Sequence, residues 1–575
     1  MKPRLREAAK LRIFSSAISR WRKSTPRSWL DAEIIASVAL LSAALAVGLS
    51  TVADYGLTVD EFNTDDYGPK ALAWYTSGFN DRSHFETVEF SLWYYGPWFH
   101  MLTAYLQSFD FADRITIRHA ATFIVGLAGV AALLPLARLA MGRWAGLTAI
   151  ALCLMTGYLY GSLFFTPIDV PFLAVMTWAT LAIVVMTRRM LPSWQATAAV
   201  GVLTGLAIAT RTGGIITHVY LLGALVLCGA EFWARHSRLT LRYVMQIAVR
   251  YGAVLSIAWI TAIALWPWLQ IGNPWQQFKI ALVHFATIPM SYEFPHWGER
   301  IRTDALPFSY VPAQLLARLP EAFLLLLLIA LVFAIYSLGV IAREARANWF
   351  ADRGASVRAA VLTTVQWRAC LVVCSAVILP VAFLIVQHAT IYNGIRHVLF
   401  VIPMLAVIAG GGLRALLPLL HRVPVIAAIA GGAYVGSIVA TLAALHPLEY
   451  VAMNALAGGT RGAHGRFELD YWAAAATEAL RRLEHRLDYD VSIRFAEAPP
   501  SILICIPWRE DQVTPILKRP WLIETDPDKA DFIIATEQWP CAENKPVELI
   551  DEVRRLDRTF AWIYARRVPA NDRNW

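Results

Sequence analysis

Eleven apolar runs, each about as long as a membrane-crossing helix, constrain the fold of this chain more than any other feature. They lie at 32–52, 119–140, 144–162, 170–187, 195–210, 213–233, 247–270, 319–342, 369–389, 397–419 and 423–445. A hydrocarbon core about 30 Å thick needs roughly 20 apolar residues of helix for each crossing. Hydrophobic residues make up 57% of the 575-residue chain and charged residues only 16%, which excludes an ordinary soluble enzyme. We therefore predict a mainly α, polytopic membrane protein.

The basic residues predict how the chain is oriented in the bilayer. Residues 1–30 form a basic tail, and segments rich in Lys and Arg stay on the cytoplasmic side. Gly96-Pro97 interrupts the aromatic segment 91–107, so we expect this segment to lie along the interface. The later basic loops then alternate onto the cytoplasmic side; they contain Arg138, Arg143, Arg188, Arg189, Arg235, Arg238, Arg242, Arg343, Arg358, Arg414 and Arg422. The net charge of +9 therefore reflects orientation, and we expect membrane lipids and no nucleic acid as partners.

These boundaries divide the chain into three regions. They are a cytoplasmic tail at 1–30, a transmembrane domain at 31–445 with external loops at 53–118 and 271–318, and a soluble domain at 446–575. On this orientation the N-terminus is cytoplasmic and the soluble domain is external.

The last region has the composition of a small α/β domain. Apolar residues recur at helical spacing from Tyr471 to about Leu487. Short buried strands are predicted within 501–506, 531–536 and 559–564. If the domain lies in an oxidising compartment, Cys505 and Cys541 could form a disulfide.

Carboxylates gather just outside the apolar runs. The stretch Thr58 to Tyr67 places Asp60, Glu61, Asp65 and Asp66 after the first run, and Asp169 lies between Pro167 and Pro171. An acidic residue at such a place has two interpretations. It can begin a helix, a role that Asp fills well, or it can act as a base whose basicity is raised by the membrane surface.

Together these features resemble the GT-C glycosyltransferases, in particular the branch of bacterial aminoarabinose transferases of lipid A and protein O-mannosyltransferases. The resemblance covers roughly residues 30–420. It rests on Asp60-Glu61, the aromatic segment 94–98, the segment 165–171 around Asp169, and Arg396-His397 ahead of Pro403. Asn63 and Tyr95-Gly96 stand where aminoarabinose transferases carry an Arg and a Lys. The resemblance implies inverting transfer of a sugar from a polyprenyl phosphate to a glycan, glycolipid or protein acceptor, at the periplasmic face of a bacterial inner membrane.

Such a reaction assigns expected roles to these residues. Asp60 is the expected base for the acceptor hydroxyl, Asp169 is expected to cap its helix and orient the acceptor or the base, and Glu61 is a weaker candidate. The leaving phosphate needs cations, and an Arg fork matches phosphate geometry. The candidate phosphate ligands are Arg396, His397, Arg211, Lys70, Arg300 and Arg302, and the candidate sugar or acceptor ligands are Tyr94, Tyr95, Trp98 and His296. The aromatic residues could instead form only an interfacial belt.

No His, Cys and Asp spacing indicates a metal site, and the sequence establishes no cofactor. Glu61 and Asp66 could bind sugar hydroxyls or a divalent cation, or could simply be solvated. Two other functions fit the same sequence. An oligosaccharide ligase using a diphosphate carrier would need a larger cationic site. A transporter or flippase of lipid-linked sugars would need discontinuous spans with charges near the midplane, whereas the acids here gather at one membrane surface.

Overall fold

The computed structural model describes residues 31–86, 89–286, 291–349, 353–489, 499–508, 510–514 and 516–566. The predicted basic tail at 1–30 lies outside these ranges. Within them, nine helices are long and apolar enough to cross a membrane. Their bounds are Ala32–Asp54, Arg114–Ala140, Asp169–Met186, Thr212–His236, Leu241–Leu265, Glu321–Arg343, Arg368–Val386, Val401–Leu420 and Pro424–Leu445.

The two remaining apolar runs also form helices. Ala145–Met155 and Gly157–Phe165 make one pair bent by 71°, and Trp194–Ile208 is a shorter apolar helix. Each of the eleven predicted runs therefore corresponds to helical structure. The second begins earlier than predicted, because Asp113 caps it by accepting from the Thr116 N–H at 2.9 Å.

The region 53–118, which we predicted to be the first external loop, forms short helices before the second span begins. Their bounds are Glu61–Thr76, Ser83–Glu86, Glu89–Tyr94 and Trp98–Gln107. The ten residues of Trp98–Gln107 span only about 15 Å, too little to cross a bilayer. Gly96 is required here, because a Cβ at this position would lie 1.5 Å from the carbonyl oxygen of Ala209. The aromatic segment therefore packs directly onto the end of the helix Trp194–Ile208.

The second long loop contains a hairpin between two helices. The helix Pro274–Ala286 comes first, and strands β1 (Glu293–His296) and β2 (Glu299–Arg302) pair antiparallel. The helix Tyr310–Arg318 then leads back to the membrane.

The C-terminal domain contains a helix, Ala475–Tyr489, and a five-stranded sheet. Its strands are β3 (Ser501–Ile504), β4 (Leu522–Ile523), β5 (Phe532–Thr536), β6 (Val547–Arg555) and β7 (Arg558–Arg566), in the order β4-β3-β5-β7-β6. Strands β4, β3 and β5 are parallel, whereas β7 pairs antiparallel with both β5 and β6. The sheet confirms the α/β prediction. Cys505 and Cys541 are joined by a disulfide with their Cα atoms 5.6 Å apart.

The chain between the last span and this domain packs into the membrane domain. Tyr450, Tyr471 and Trp472 are completely buried in the same apolar core as the spans. The Val59 N–H donates to the Trp472 carbonyl at 3.0 Å, and the Leu57 N–H donates to Thr477 Oγ1 at 2.9 Å. The C-terminal part of the chain therefore fixes the backbone immediately before Asp60.

Candidate functional site

Asp60 pairs with Arg396 across 336 residues of sequence. It occupies the N-cap position of the helix Glu61–Thr76, but its side chain makes no capping hydrogen bond. Asp60 Oδ2 forms an ion pair with Arg396 Nη1 instead. The Asp60 side chain is 30% exposed and that of Arg396 only 9%. The carboxylate thus faces the principal phosphate-binding candidate, from a position that solvent still reaches.

Glu61, the neighbouring carboxylate, is completely buried and has structural partners. Its Oε2 accepts from the Thr58 N–H and from Thr58 Oγ1, both at 3.0 Å, which resembles a capping box. Its Oε1 lies 2.9 Å from His119 Nε2, and Arg118 pairs with Asp65. Burial raises the pKa of Glu61, but His119, Arg118 and the Thr58 N–H outweigh it, so the net pKa is below the ordinary value. Glu61 therefore anchors the helix start to the second span.

A second ion pair joins the start of the helix Asp169–Met186 to the residues that follow the helix Trp194–Ile208. Arg211 Nη2 is 2.9 Å from Asp169 Oδ1, and both side chains are largely buried. The Arg211 guanidinium also lies 5.5 Å from the ring centre of Tyr95. The N-cap position belongs to Ile168, so Asp169 is the first helical residue and does not take the capping position that we expected. Pro171 fits the first turn, where N–H groups have no intrahelical acceptor.

The turn between the helices Arg368–Val386 and Val401–Leu420 lies near both ion pairs. The Arg396 guanidinium lies 4.8 Å from the ring centre of Tyr392, which packs edge-on against His397 at 4.7 Å. Burial raises the pKa of Tyr392, and Tyr95, Arg211 and Asp169 also contribute to its shift. Burial, followed by Arg396 and Arg211, lowers the pKa of His397 well below its ordinary value, so this imidazole is neutral near pH 7.

Several buried donors in this region lack a hydrogen-bond partner in the described part of the chain. They are Arg396 Nε, Arg211 Nε and, depending on the tautomer, His397 Nδ1. Folded proteins satisfy nearly all buried polar groups, so donors that converge in this way suit a polar, anionic ligand. Burial lowers the pKa of Arg396 only to about 10, and the guanidinium remains charged near neutral pH.

The other predicted cations have partners in their own segments. Each pairs with an acid no more than seven residues away: Lys70 with Asp66, Arg300 with Glu293 at 3.4 Å, and Arg302 with Asp304 at 2.9 Å. Arg300 and Arg302 lie on strand β2 and are more than half exposed. None of the three forms an ion pair with Asp60 or Asp169 within the described ranges.

Among the predicted aromatic ligands, Tyr95 contacts an arginine of the candidate site, whereas Tyr94 and Trp98 contact neighbouring helices. Tyr95 reaches Arg211, whereas Tyr94 packs against Trp268 at 4.9 Å and His284 at 4.6 Å between ring centres. Trp98 Nε1 donates to Thr210 Oγ1 at 2.7 Å. Tyr94 and Trp98 thus hold the interfacial segment against the neighbouring helices.

Comparison with known proteins finds similar solved structures, while no family model and no curated protein matches the chain. ArnT from Cupriavidus metallidurans bound to undecaprenyl phosphate is 13% identical; 92% of this chain and 97% of that chain are covered, with a TM-score of 0.43. The archaeal oligosaccharyltransferase AglB from Archaeoglobus fulgidus, in complex with an inhibitory peptide and a dolichol-phosphate, is 12% identical over 83% of this chain and 63% of that chain, with a TM-score of 0.37. Both belong to the GT-C superfamily named by the sequence resemblance.

Four residues near the site were not among the sequence candidates. Glu468 Oε1 accepts from the Tyr292 hydroxyl at 3.4 Å, and the same hydroxyl donates to Asn393 Oδ1 at 3.0 Å. Arg318, only 3% exposed, donates from Nη2 to the Glu468 carbonyl at 3.2 Å. The one available signal was the acidic Glu468 inside the aromatic stretch 467–472.

His296, a predicted sugar ligand, packs on the outer side of this group. Its Nδ1 lies 3.1 Å from Gln314 Nε2, and Gln314 Oε1 accepts from Arg318 Nε at 2.9 Å. Burial, assisted by Arg318, lowers the pKa of His296 to about 4. Across the described ranges, no group of three or more His, Cys, Asp or Glu side chains is arranged to hold a metal ion.

Proposed function

We propose that this protein is an inverting glycosyltransferase that moves a sugar from a polyprenyl-phosphate donor to a lipid, glycan or protein acceptor at the periplasmic membrane face. The observation that supports it best is the Asp60–Arg396 pair, with Arg211 and His397 close to the same turn. A candidate base and a candidate phosphate ligand therefore belong to one site, where a bound sugar can separate them and place them on opposite faces of its anomeric carbon.

The reaction follows from the chemistry of these groups. Asp60 takes the proton of the acceptor hydroxyl as its oxygen bonds to the anomeric carbon. The bond from that carbon to the phosphate oxygen breaks on the opposite face, which inverts the configuration. The phosphate leaves with the bonding electron pair, and its negative charge is stabilised by Arg396 and Arg211. Neutral His397 donates one further hydrogen bond.

Arg396 couples donor binding to activation of the base. Without a donor its guanidinium pairs with Asp60, and this pairing favours the ionised, weakly basic carboxylate. A donor phosphate also fits the guanidinium fork and competes for it. Once Arg396 turns to the phosphate, Asp60 loses its cationic partner and becomes a stronger base.

Asp169 acts through Arg211. The 2.9 Å pair and the neighbouring Tyr95 ring together fix the guanidinium of Arg211, whose Nε remains available. Asp169 is therefore a positioning residue, and its effect on transfer depends on how well Arg211 meets the phosphate.

The location that we propose is the bacterial inner membrane, with the site and the C-terminal domain on the periplasmic side. Arg138 pairs with Asp31 at 3.0 Å and with Glu33 at 3.1 Å, which groups this arginine with the start of the first span, at the end away from Asp60. The Cys505–Cys541 disulfide is consistent with an oxidising compartment around the C-terminal domain.

A reconstituted transfer assay tests this function. The purified full-length protein in lipid nanodiscs is given undecaprenyl phosphates that carry radiolabelled sugars, together with a lipid and glycan extract as acceptor. We expect label to move from one of the carriers to the extract. Asp60→Asn should lose this transfer. Asp66→Asn, which removes a nearby negative charge, should retain it. Full transfer by Asp60→Asn would contradict the base assignment. Transfer only from diphosphate carriers would favour the ligase.

A further inference from the structure

Glu468 lies on the segment that leads from the last span into the C-terminal domain, beside the turn that carries Arg396. Its Oε1 shares the Tyr292 hydroxyl with Asn393, three residues before Arg396. The charge of Arg396 contributes to the pKa of Glu468, and that of Glu468 to the pKa of Arg396. The C-terminal segment therefore places a carboxylate within electrostatic range of the Asp60–Arg396 pair.

Arg318 faces the same place from the helix Tyr310–Arg318. Its Nε donates to Gln314 Oε1 at 2.9 Å, and its guanidinium stacks on Tyr158 at 4.3 Å. A Cβ on Gly394 would lie 3.2 Å from Arg318 Nη2. Arg318 is therefore held rigidly between the turn and the C-terminal segment, with little freedom to rotate toward another partner.

Two polar atoms of opposite character remain available here. Glu468 Oε2 and Arg318 Nη1 are both buried, and neither has a hydrogen-bond partner in the described part of the chain. Arg318 Nη2 donates to the backbone carbonyl of Glu468 at 3.2 Å, and not to its carboxylate Oε2. Burial raises the pKa of Glu468 to about 7, while Arg318, Tyr292 and Arg396 oppose the rise. A buried acceptor and a buried donor thus stand close together without satisfying one another.

The chemistry of these atoms selects a neutral, hydroxyl-bearing ligand. A phosphate would be repelled by the carboxylate of Glu468, and an ammonium group would be repelled by Arg318. A hydroxyl group can donate to the carboxylate and accept from the guanidinium at the same time. Two neighbouring hydroxyls on one ring would satisfy both atoms without leaving a buried polar group unpaired.

We propose that Glu468 and Arg318 bind hydroxyl groups of the donor's sugar ring. This inference rests on the proposed function, because it takes Arg396 as a ligand of the phosphate to which the ring is attached. The ring must lie next to that phosphate, and the subsite lies next to Arg396. The C-terminal segment therefore contributes to donor recognition, and the sugar that it recognises is a neutral one with a free hydroxyl pair.

Binding measurements on the full-length protein in nanodiscs test this proposal. The probes are undecaprenyl phosphate and a panel of undecaprenyl phosphates that carry neutral hexoses, pentoses or N-acetylhexosamines. We expect wild-type protein to bind one sugar-bearing lipid more tightly than undecaprenyl phosphate. In Glu468→Gln we expect affinity for the preferred sugar-bearing lipid to fall about 10- to 100-fold, as for loss of a charge-assisted hydrogen bond, whereas affinity for undecaprenyl phosphate should not fall.

Two further variants separate recognition from folding. Glu478→Gln is the matched control, because Glu478 pairs with Arg555 and Arg482 within the C-terminal domain. If Glu468→Gln does not fold, Tyr292→Phe removes the hydroxyl that holds Glu468 Oε1 and should reduce the preference by a smaller factor. A preference retained in the folded variants would overturn the subsite and leave the proposed function intact. Absence of any preference in wild-type protein would instead overturn the proposed donor class, and the subsite with it.

Discussion

Replacing Asp60 by Asn should change transfer and carrier binding in opposite directions. The variant keeps the size of the side chain but removes the charge that pairs with Arg396. Loss of a general base lowers turnover about 10²- to 10⁴-fold. The same change frees the Arg396 guanidinium, so affinity for undecaprenyl phosphate should rise.

The expected gain in affinity follows from the burial of the pair. Arg396 is 9% exposed and Asp60 30%, so the pair lies between the surface and buried classes. Surface pairs contribute up to about 1 kcal/mol, and breaking a buried pair costs about 3–5 kcal/mol. Because solvent screens Asp60, we estimate that breaking the pair costs about 1–2 kcal/mol. The variant binds phosphate without this cost, which corresponds to about 5- to 30-fold tighter binding.

Calorimetric titration of undecaprenyl phosphate into detergent-solubilised protein measures this gain. Asp66→Asn is the control, because Asp66 pairs with Lys70 in the same helix and carries the same charge. The transfer rate and the affinity for undecaprenyl phosphate should both be unchanged in Asp66→Asn. Unchanged or weaker carrier binding by Asp60→Asn would refute the exchange of Arg396 between carboxylate and phosphate, even if transfer is lost.

Three other outcomes are expected. Asp169→Asn leaves the buried Arg211 without its carboxylate partner. We expect about tenfold or greater loss of transfer in the transfer assay and a lower melting temperature in thermal unfolding. Unchanged transfer would contradict the positioning role of Asp169. The hydrogen bond to Glu449 raises the pKa of His446 above 6.5 against burial, with Asp54 assisting, so this stabilisation is fully present below pH 6.5 and is lost as pH rises through the higher pKa of the folded protein. Melting temperature should fall over that window in wild-type protein, and the same fall in His446→Gln would refute the assignment. Gly56→Val should weaken packing of the C-terminal segment, because a Cβ at Gly56 would lie 2.5 Å from a side-chain carbon of Thr477. We expect reduced transfer and faster digestion by protease. Full transfer with unchanged protease resistance would contradict this prediction.

The architecture could be predicted because each span carries its own local signal. Apolar length defines the helices, and charge alternation predicts that Asp60, Asp169, Arg211 and Arg396 lie at one membrane face. The pairing between them could not be predicted, since Asp60 and Arg396 are joined only by packing of distant helices.

The sequence also did not show which of two adjacent acids faces the candidate site. Asp60 and Glu61 are adjacent acids, but the second points into the bundle toward His119 and the first does not. Only the phase of the helix start decides this difference. The spacing of Asp66 and Lys70, four residues apart on one helix, did predict a local ion pair and could have removed Lys70 from the phosphate candidates.

The backbone contact between Val59 and Trp472 has a consequence for biogenesis. Asp60 follows the first span in sequence, but the Trp472 carbonyl that accepts from the preceding N–H is made more than 400 residues later. A nascent chain that has inserted every span still lacks this backbone contact. On the proposed function, the site is therefore complete only once the segment around Trp472 has been synthesised and has packed against the residues before Asp60.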